Sequence, residues 1–318
     1  KFTFHTVGGK MENIIEVSNL RKYYKTVKAV DDISFSIAAG KVFALLGPNG
    51  AGKTTTVEIL EGLRRADSGR ITYFGKEITK VNFELKEKIG VQLQNTVFFE
   101  SLTVKETLKG FSGLYEKKFD IDILVKKLEL EEKLNSKIKT LSGGQKQRLA
   151  IAVALVNDPD IVFLDEPTTG LDPQARRMLW DFINELKSSG KTIILTTHYM
   201  EEAEYLSDFV NIVDHGKVIA CGTVEQLIDS IGMKSIIRFH SNKKFDSYFK
   251  GENIKIIEDT ALSSEKKIYE IQTDNVETTL SNIFETTRKN SLSISEIAIR
   301  QPNLEDVFLK LTGRTLRD

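Results

Sequence analysis

Residues 42–60 read VFALLGPNGAGKTTTVEIL, and the three parts of this stretch decide the fold. Val42 to Leu46 is an unbroken apolar run between glycines, the pattern of a short strand buried on both faces of a sheet. Thr54 to Leu63 then has the composition of a helix. Between them, Gly47, Gly50 and Gly52 let the backbone fold tightly enough for successive N–H groups to wrap an anion at a helix start. Such a loop reads as a polyphosphate cradle, with Lys53 reaching the β and γ phosphates and the Thr54 hydroxyl on Mg²⁺.

The surrounding sequence supports a sheet built around this unit. Ile14, Ile15 and Val17 open a strand, and Ile33, Phe35 and Ile37 alternate with Ser34 and Ser36 before a turn at Ala39-Gly40. From about 81 to 140 the chain becomes rich in Lys and Glu, with apolar residues such as Ile123, Leu124 and Leu128 at helical spacing, which predicts an inserted helical subdomain. The buried-strand pattern resumes at Ile161–Leu164 and Thr192–Thr196, separated by a helix near Gln174–Ser188, as in a βαβ unit with parallel strands. The expected class is α/β with a P-loop core.

Past Gly222 the pattern changes. Ile236–Phe239, Ile254–Ile257, Ile268–Ile271 and Leu292–Ile299 read as strands, and Val276, Leu280, Ile283 and Phe284 share one helical face. The apolar set of the last strand changes parity, from Leu292 and Ile294 to Ile297 and Ile299, which predicts a bulge. Leu304, Val307, Phe308 and Leu311 then form an amphipathic helix. The reading is therefore a main domain over 11–222 and a small α+β accessory domain over 223–318. Residues 1–10 (KFTFHTVGGK) show no signal-peptide pattern and precede Met11, and are expected to be an appended or disordered leader.

Composition narrows the function. The 318-residue chain carries 45 basic and 45 acidic side chains, without the overall basic excess of a general nucleic-acid binder, so no nucleic-acid partner is expected. Its single cysteine, Cys221, cannot form an intrachain disulfide and fits a reduced compartment. The longest apolar stretch, Leu149 to Val156, falls far short of the roughly 18 to 20 residues that cross a bilayer.

Further motifs add chemistry. In IVFLDEP (161–167), Asp165 ends an apolar strand and is followed at once by a second acid, Glu166. In LSGGQKQR (141–148), Ser142, Gly143 and Gly144 offer backbone amides and a hydroxyl where Gln145 to Val156 begins a helix, a second anion-friendly site away from the first loop. TTGLDP (168–173) contains Asp172 as well as Thr169, and TIILTTHYMEEAE places His198 after a strand. IGVQLQ (89–94) offers Gln92 and Gln94, and LRKYYKTVKAV offers Tyr23 and Tyr24.

Taken in this order, from about Ile14 to Gly222, the motifs resemble the ATP-binding cassette ATPases. That resemblance implies a P-loop NTPase ABC cassette core with an inserted helical subdomain, using ATP and Mg²⁺ as cofactors. It implies that Gly47, Pro48, Asn49, Gly50, Ala51, Gly52, Lys53, Thr54 and Thr55 bind nucleotide together with Tyr24, which would stack on adenine. Ser142, Gly143, Gly144, Gln145 and Asp172 would complete the nucleotide site of a second copy. Thr54, Gln94 and Asp165 would serve the metal, and Glu166, His198, Gln94 and Lys53 would be catalytic, with Glu166 as general base. Leu93 stands before Gln94 where the family most often has proline, which leaves Gln92 as a rival, and Tyr23 rivals Tyr24.

With every motif present in one copy, two identical chains head to tail would form two complete sites. The implied function is the ATP-hydrolysing subunit of a membrane transporter, a homodimer peripheral to the cytoplasmic face of the membrane through a separate permease. The segments HYMEEAEYLSDFVNIVDHGKVIACGT and PNLEDVFLKLTGR resemble bacterial exporters of the daunorubicin-resistance type, whose cargoes include drugs, lipids, polysaccharides and peptides. The competing expectations are an importer ATPase with a regulatory C-terminal domain, and a cassette with no role in transport.

Overall fold

The computed structural model describes residues 12–232, 235–241, 253–257 and 267–313; the leader expected over 1–10 lies outside them. The chain divides into two units, one up to Val224 and one from Glu225.

The first unit opens with two long antiparallel strands, β1 (Asn13–Tyr24) and β2 (Val27–Ala38). Their alternation puts Ile15, Val17, Leu20, Ile33, Phe35 and Ile37 in the core. Next comes β3 (Val42–Leu46), buried at every position, and then α1 (Lys53–Leu60). β4 (Ser68–Tyr73), β5 (Lys76–Glu77), α2 (Phe83–Lys88) and β6 (Ile89–Gln92) follow. The helices α3 (Val104–Ser112), α4 (Ile121–Lys127) and α5 (Gly143–Leu155) come before β7 (Ile161–Asp165). The unit then runs through α6 (Pro173–Ser188), β8 (Thr192–Thr197), α7 (Met200–Leu206), β9 (Phe209–Asp214) and β10 (Lys217–Gly222).

Two sheets result. One is antiparallel, ordered β2-β1-β4-β5; the other is ordered β10-β9-β3-β8-β7-β6 and is parallel except for β10. The rings of Phe35 and Phe43 stack 5.0 Å apart and join the two sheets in one core. In the parallel sheet β8 lies between β3 and β7, with Leu46 beside Thr197 and Asp165 beside Thr196. Three strand ends, each followed by a motif, thus share the carboxyl edge, the side on which open α/β sheets form ligand crevices.

The helical subdomain expected over about 81–140 begins later in the chain. The stretch 81–140 is not helical throughout: Ile89–Gln92 is a sheet strand paired in parallel with β7. Charged residues from Glu84 to Lys88 mask this short strand in the sequence. A Cβ at Gly90 would come 1.8 Å from the Ala154 carbonyl, so a glycine is what lets α5 lie against β6. The helical insertion therefore starts after Gln92. Thr103 opens α3 with a capping box and Asp120 caps α4, while Val104, Leu108, Leu124 and Leu128 are buried inside.

The second unit takes in most of α8 (Val224–Ser230), then β11 (Ser235–Ser241), β12 (Asn253–Ile257), β13 (Lys267–Thr273), α9 (Val276–Lys289), β14 (Ile294–Arg300) and α10 (Leu304–Thr312). Its antiparallel sheet is ordered β12-β13-β11-β14. Ile237, Phe239, Tyr269, Ile271 and Ile283 form its core. The parity change in β14 is a bulge, with one extra residue between Ser295 and Ala298 and Glu296 at φ 54. Leu304, Val307 and Phe308 are buried, but Leu311 and Phe284, expected on the apolar faces, are 45% and 52% exposed. Phe284 sits at the margin of its apolar stripe, and Leu311 lies in the last turn of α10.

Candidate functional site

The loop between β3 and α1 owes its shape to glycine. Gly50 and Gly52 have φ of 80 and 104, which other residues rarely adopt, and a Cβ on Gly52 would strike the Ala29 carbonyl at 2.1 Å. Gly47 has the same problem with the Val213 carbonyl, also at 2.1 Å. Inside the loop Lys53 is almost wholly buried, and its Nζ donates to the carbonyls of Gly47 at 2.8 Å and Pro48 at 3.1 Å. Ala51 is buried, and its carbonyl accepts from Gly216 N–H at 2.9 Å. Burial lowers the Lys53 pKa, while Glu166 and Asp165 pull it back up.

At the end of β7, Thr54 Oγ1 donates to Asp165 Oδ1 at 3.4 Å, and the Thr196 hydroxyl donates to the same oxygen. Burial raises the Asp165 pKa, which the Thr196 bond opposes. Glu166 has a left-handed backbone at φ 48, costly for a residue with a Cβ. Its N–H is held by both the carbonyl and the hydroxyl of Thr196, at 3.2 and 3.1 Å. This turn aims the carboxylate away from the strand.

Four side chains from four segments meet that carboxylate. Lys53 Nζ is 3.7 Å from Oε1, and His198 Nδ1 is 3.4 Å from the same atom. Gln94 Nε2 donates to Oε2 at 3.2 Å, and Thr169 Oγ1 donates to it at 3.4 Å. Strand geometry sends the two glutamines to different partners. Gln92 is still in β6, points inward and donates to the carbonyls of Leu93 and Asp165, whereas Gln94 lies beyond the strand and reaches Glu166. His198 packs on Tyr199 with ring centres 4.1 Å apart, and the Arg176 guanidinium covers the other aromatic at 4.8 Å.

The remaining sequence candidates sit at helix starts or on the antiparallel sheet. Ser142 and Gln145 form a capping box at the head of α5, in which Ser142 Oγ accepts from Gln145 N–H and Gln145 Oε1 from Ser142 N–H. Gly143 and Gly144 are the first residues of that helix. A Cβ on Gly144 would come 3.2 Å from Leu171, and Gln147 Nε2 donates to the Pro167 carbonyl at 3.0 Å. The head of α5 is thus tied to the loop that follows Glu166. Asp172 caps α6 by accepting from Ala175 N–H. At the end of β1, Lys22 and Arg64 lie 5.5 and 5.4 Å from the Tyr24 ring centre, while the Tyr23 hydroxyl is engaged with Asp31 at 2.7 Å. Tyr23 is nonetheless the more exposed ring, with Lys28 5.5 Å from its centre, while Tyr24 is half-buried.

Two residues at the site went unread in the sequence. Thr196, which grips both Asp165 and Glu166, looks like any threonine in a buried strand. Glu61 is 5% exposed and among the described residues neither of its oxygens has a hydrogen-bond partner; burial first, then Asp165 and Glu58, push its pKa to about 8.

The donor set fits Mg²⁺ with a polyphosphate. Thr54 and Asp165 offer hard oxygens side by side, and among the described residues no three His, Cys, Asp or Glu side chains form a metal cage. Mg²⁺ is commonly held by one or two protein oxygens, the rest of its shell being phosphate and water.

The family model for the ABC transporter matches residues 30–169. The linearmycin resistance ATP-binding protein of Bacillus subtilis is 34% identical over 311 residues, covering 96% of this chain and 100% of that protein. Nod factor export ATP-binding protein I of Paraburkholderia xenovorans is 38% identical over 314 residues, covering 96% of this chain and 99% of its own length. Among solved structures, the dimeric structure of a bacterial ABC transporter cassette matches with a TM-score of 0.61 and 26% identity, covering 66% of this chain and 98% of that one.

Proposed function

We propose, because the chain belongs to the ABC transporter family as its ATP-hydrolysing subunit, that Glu166 is the general base of an exporter ATPase whose two sites form between two copies. The observation that carries this reading is the convergence of Lys53, Gln94, Thr169 and His198 on the Glu166 carboxylate.

In this reading the phosphate loop holds the triphosphate through its amides, and Lys53 offsets the charge of the β and γ phosphates. Glu166, oriented by Gln94 and His198, takes a proton from a water placed in line with the γ phosphorus. The new bond joins the water oxygen to phosphorus as the bridging P–O bond breaks, leaving ADP and phosphate. Mg²⁺, held by Thr54 and Asp165 with Gln94 close by, would neutralise charge on the β and γ oxygens. Ser142, Gly143, Gly144 and Gln145 of a second copy would close on the γ phosphate from the head of α5, and Asp172 would lie at the same junction. The exposure of Ser142, Gly143 and Asp172 supports that pairing, as does the likeness to a cassette solved as a dimer.

Export follows the named activities of the relatives, one of resistance and one of export. Among the described residues no helix is long and apolar enough to cross a membrane, so the path for cargo would belong to a separate permease. Val97 and Phe99, 92% and 77% exposed just beyond Gln94, offer apolar purchase for a cytoplasmic segment of that permease. Drugs, lipids, polysaccharides or peptides are the cargo classes of this reading.

The test is the exchange Glu166→Gln, which should leave ATP binding intact and cut turnover by roughly 10² to 10⁴. Lys53→Ala should instead weaken nucleotide binding. Hydrolysis near the wild-type rate in Glu166→Gln would remove Glu166 from the role.

A further inference from the structure

His198 stands 3.4 Å from Glu166 Oε1, yet its Nδ1 makes no hydrogen bond among the described residues. An imidazole turns about its side-chain torsions, so without that bond its direction depends on what packs against the ring. Tyr199 packs there, with ring centres 4.1 Å apart and planes tilted by 40°. The Tyr199 backbone is itself fixed, its N–H donating to Thr197 Oγ1 at 2.9 Å where β8 gives way to α7.

The Tyr199 ring is covered from α6. The Arg176 guanidinium lies 4.8 Å from the ring centre, within reach of a cation–π attraction. Arg176 sits near the start of α6, where its N–H donates to the Asp172 carbonyl at 2.9 Å. One turn further along the same face, Trp180 stacks on Tyr205 of α7 with ring centres 5.0 Å apart and donates from Nε1 to Glu202 Oε1 at 3.1 Å. Trp180 thereby clamps α6 to α7, and the clamp brings Arg176 over the ring at the head of α7. Arg176 Nε is buried with no hydrogen-bond partner among the described residues, so no bond at that atom places the guanidinium. A cation that merely shelters an aromatic ring would need no such sequel. Here the contacts continue, from Arg176 to Tyr199, from Tyr199 to His198 and from His198 to the Glu166 carboxylate.

We propose that Arg176 is a positioning residue: acting through Tyr199, it holds the His198 imidazole toward Glu166. The proposal rests on the assignment of Glu166 and His198 to the hydrolytic site.

Arg176→Ala, Arg176→Lys, Tyr199→Ala and the double variant Arg176→Ala/Tyr199→Ala are compared in the full chain by steady-state ATP hydrolysis, fluorescent-nucleotide binding and thermal melting. Loss of one cation–π contact should lower kcat by about 3- to 30-fold in Arg176→Ala, with nucleotide affinity changed by less than about threefold. Arg176→Lys keeps a cation and should be faster than Arg176→Ala. Because Arg176 acts through the ring, the double variant should be no slower than Tyr199→Ala alone. A folded Arg176→Ala with kcat lowered by less than about threefold overturns the proposal. So does an Arg176→Lys no faster than Arg176→Ala, or a double variant slower than Tyr199→Ala. Should Arg176→Ala fail to fold, Arg176→Met, which keeps an apolar stem without the charge, takes its place under the same limits. Glu166→Gln and His198→Ala run alongside. Normal turnover in those two breaks the underlying site assignment; impaired turnover there with a normal Arg176→Ala breaks only this inference.

Discussion

Glu61 shows how a single carboxyl at this site couples to pH. Its folded pKa of about 8 stands above the ordinary value of 4.5, so the folded state holds a proton that the unfolded state gives up. Stability from this group is full below about pH 4.5 and is lost as pH rises toward about 8. Glu61→Gln, a neutral mimic of the protonated acid, should match wild type near pH 4.5 and exceed it by on the order of a few kcal/mol at pH 8. Urea denaturation of the nucleotide-free protein at both pH values checks this; a gap that stays constant with pH would contradict it. Nothing in the sequence distinguishes Glu61 from an exposed acid at a helix end. Lys53, Asp165 and His198 were legible because their spacing within motifs is tied to the loop and strand ends that hold them. Gln92 against Gln94 was not, since the choice depends on where β6 ends.

The elements tell a similar story. Val42–Leu46 and Ile161–Asp165 were readable as buried strands, because a short unbroken apolar run closed by glycine or an acid suits a strand covered on both faces. Ile89–Gln92 was hidden, being four residues long behind a charged helix. Its place is set by a close approach: Gly90 lets α5 lie against β6, and Asn157 Nδ2 clamps the same junction by donating to the carbonyls of Glu87 and Ile89 at 3.2 and 2.9 Å. The helix that starts at Ser142 and the strand that leads to Gln94 are thus pinned together at the far end from the site. Gly90→Ala should push backbone against backbone and cost about 1 to 3 kcal/mol or more, read as a lower urea midpoint. Wild-type stability in that variant would mean the packing of α5 on β6 is looser than described.

For the molecule as a whole, every residue of the Glu166 cluster lies in the first unit, and the second has its own sheet and core. A chain ending at Gly222 should therefore fold and bind ATP with the affinity of the full chain, measured by fluorescent-nucleotide titration. A folded fragment with lost affinity would give the second unit a part in the site. The larger expectation concerns assembly, because the head of α5 carries its exposed amides and hydroxyl as a helix cap and would meet a γ phosphate only in a second copy. Light scattering on Glu166→Gln, with and without ATP and Mg²⁺, tests this. A monomer should become a dimer on adding ATP, and that dimer should be lost when Ser142→Arg is introduced into the same background. A protein that stays monomeric at saturating ATP, or a dimer indifferent to both ATP and Ser142→Arg, would contradict a hydrolytic site shared between two copies.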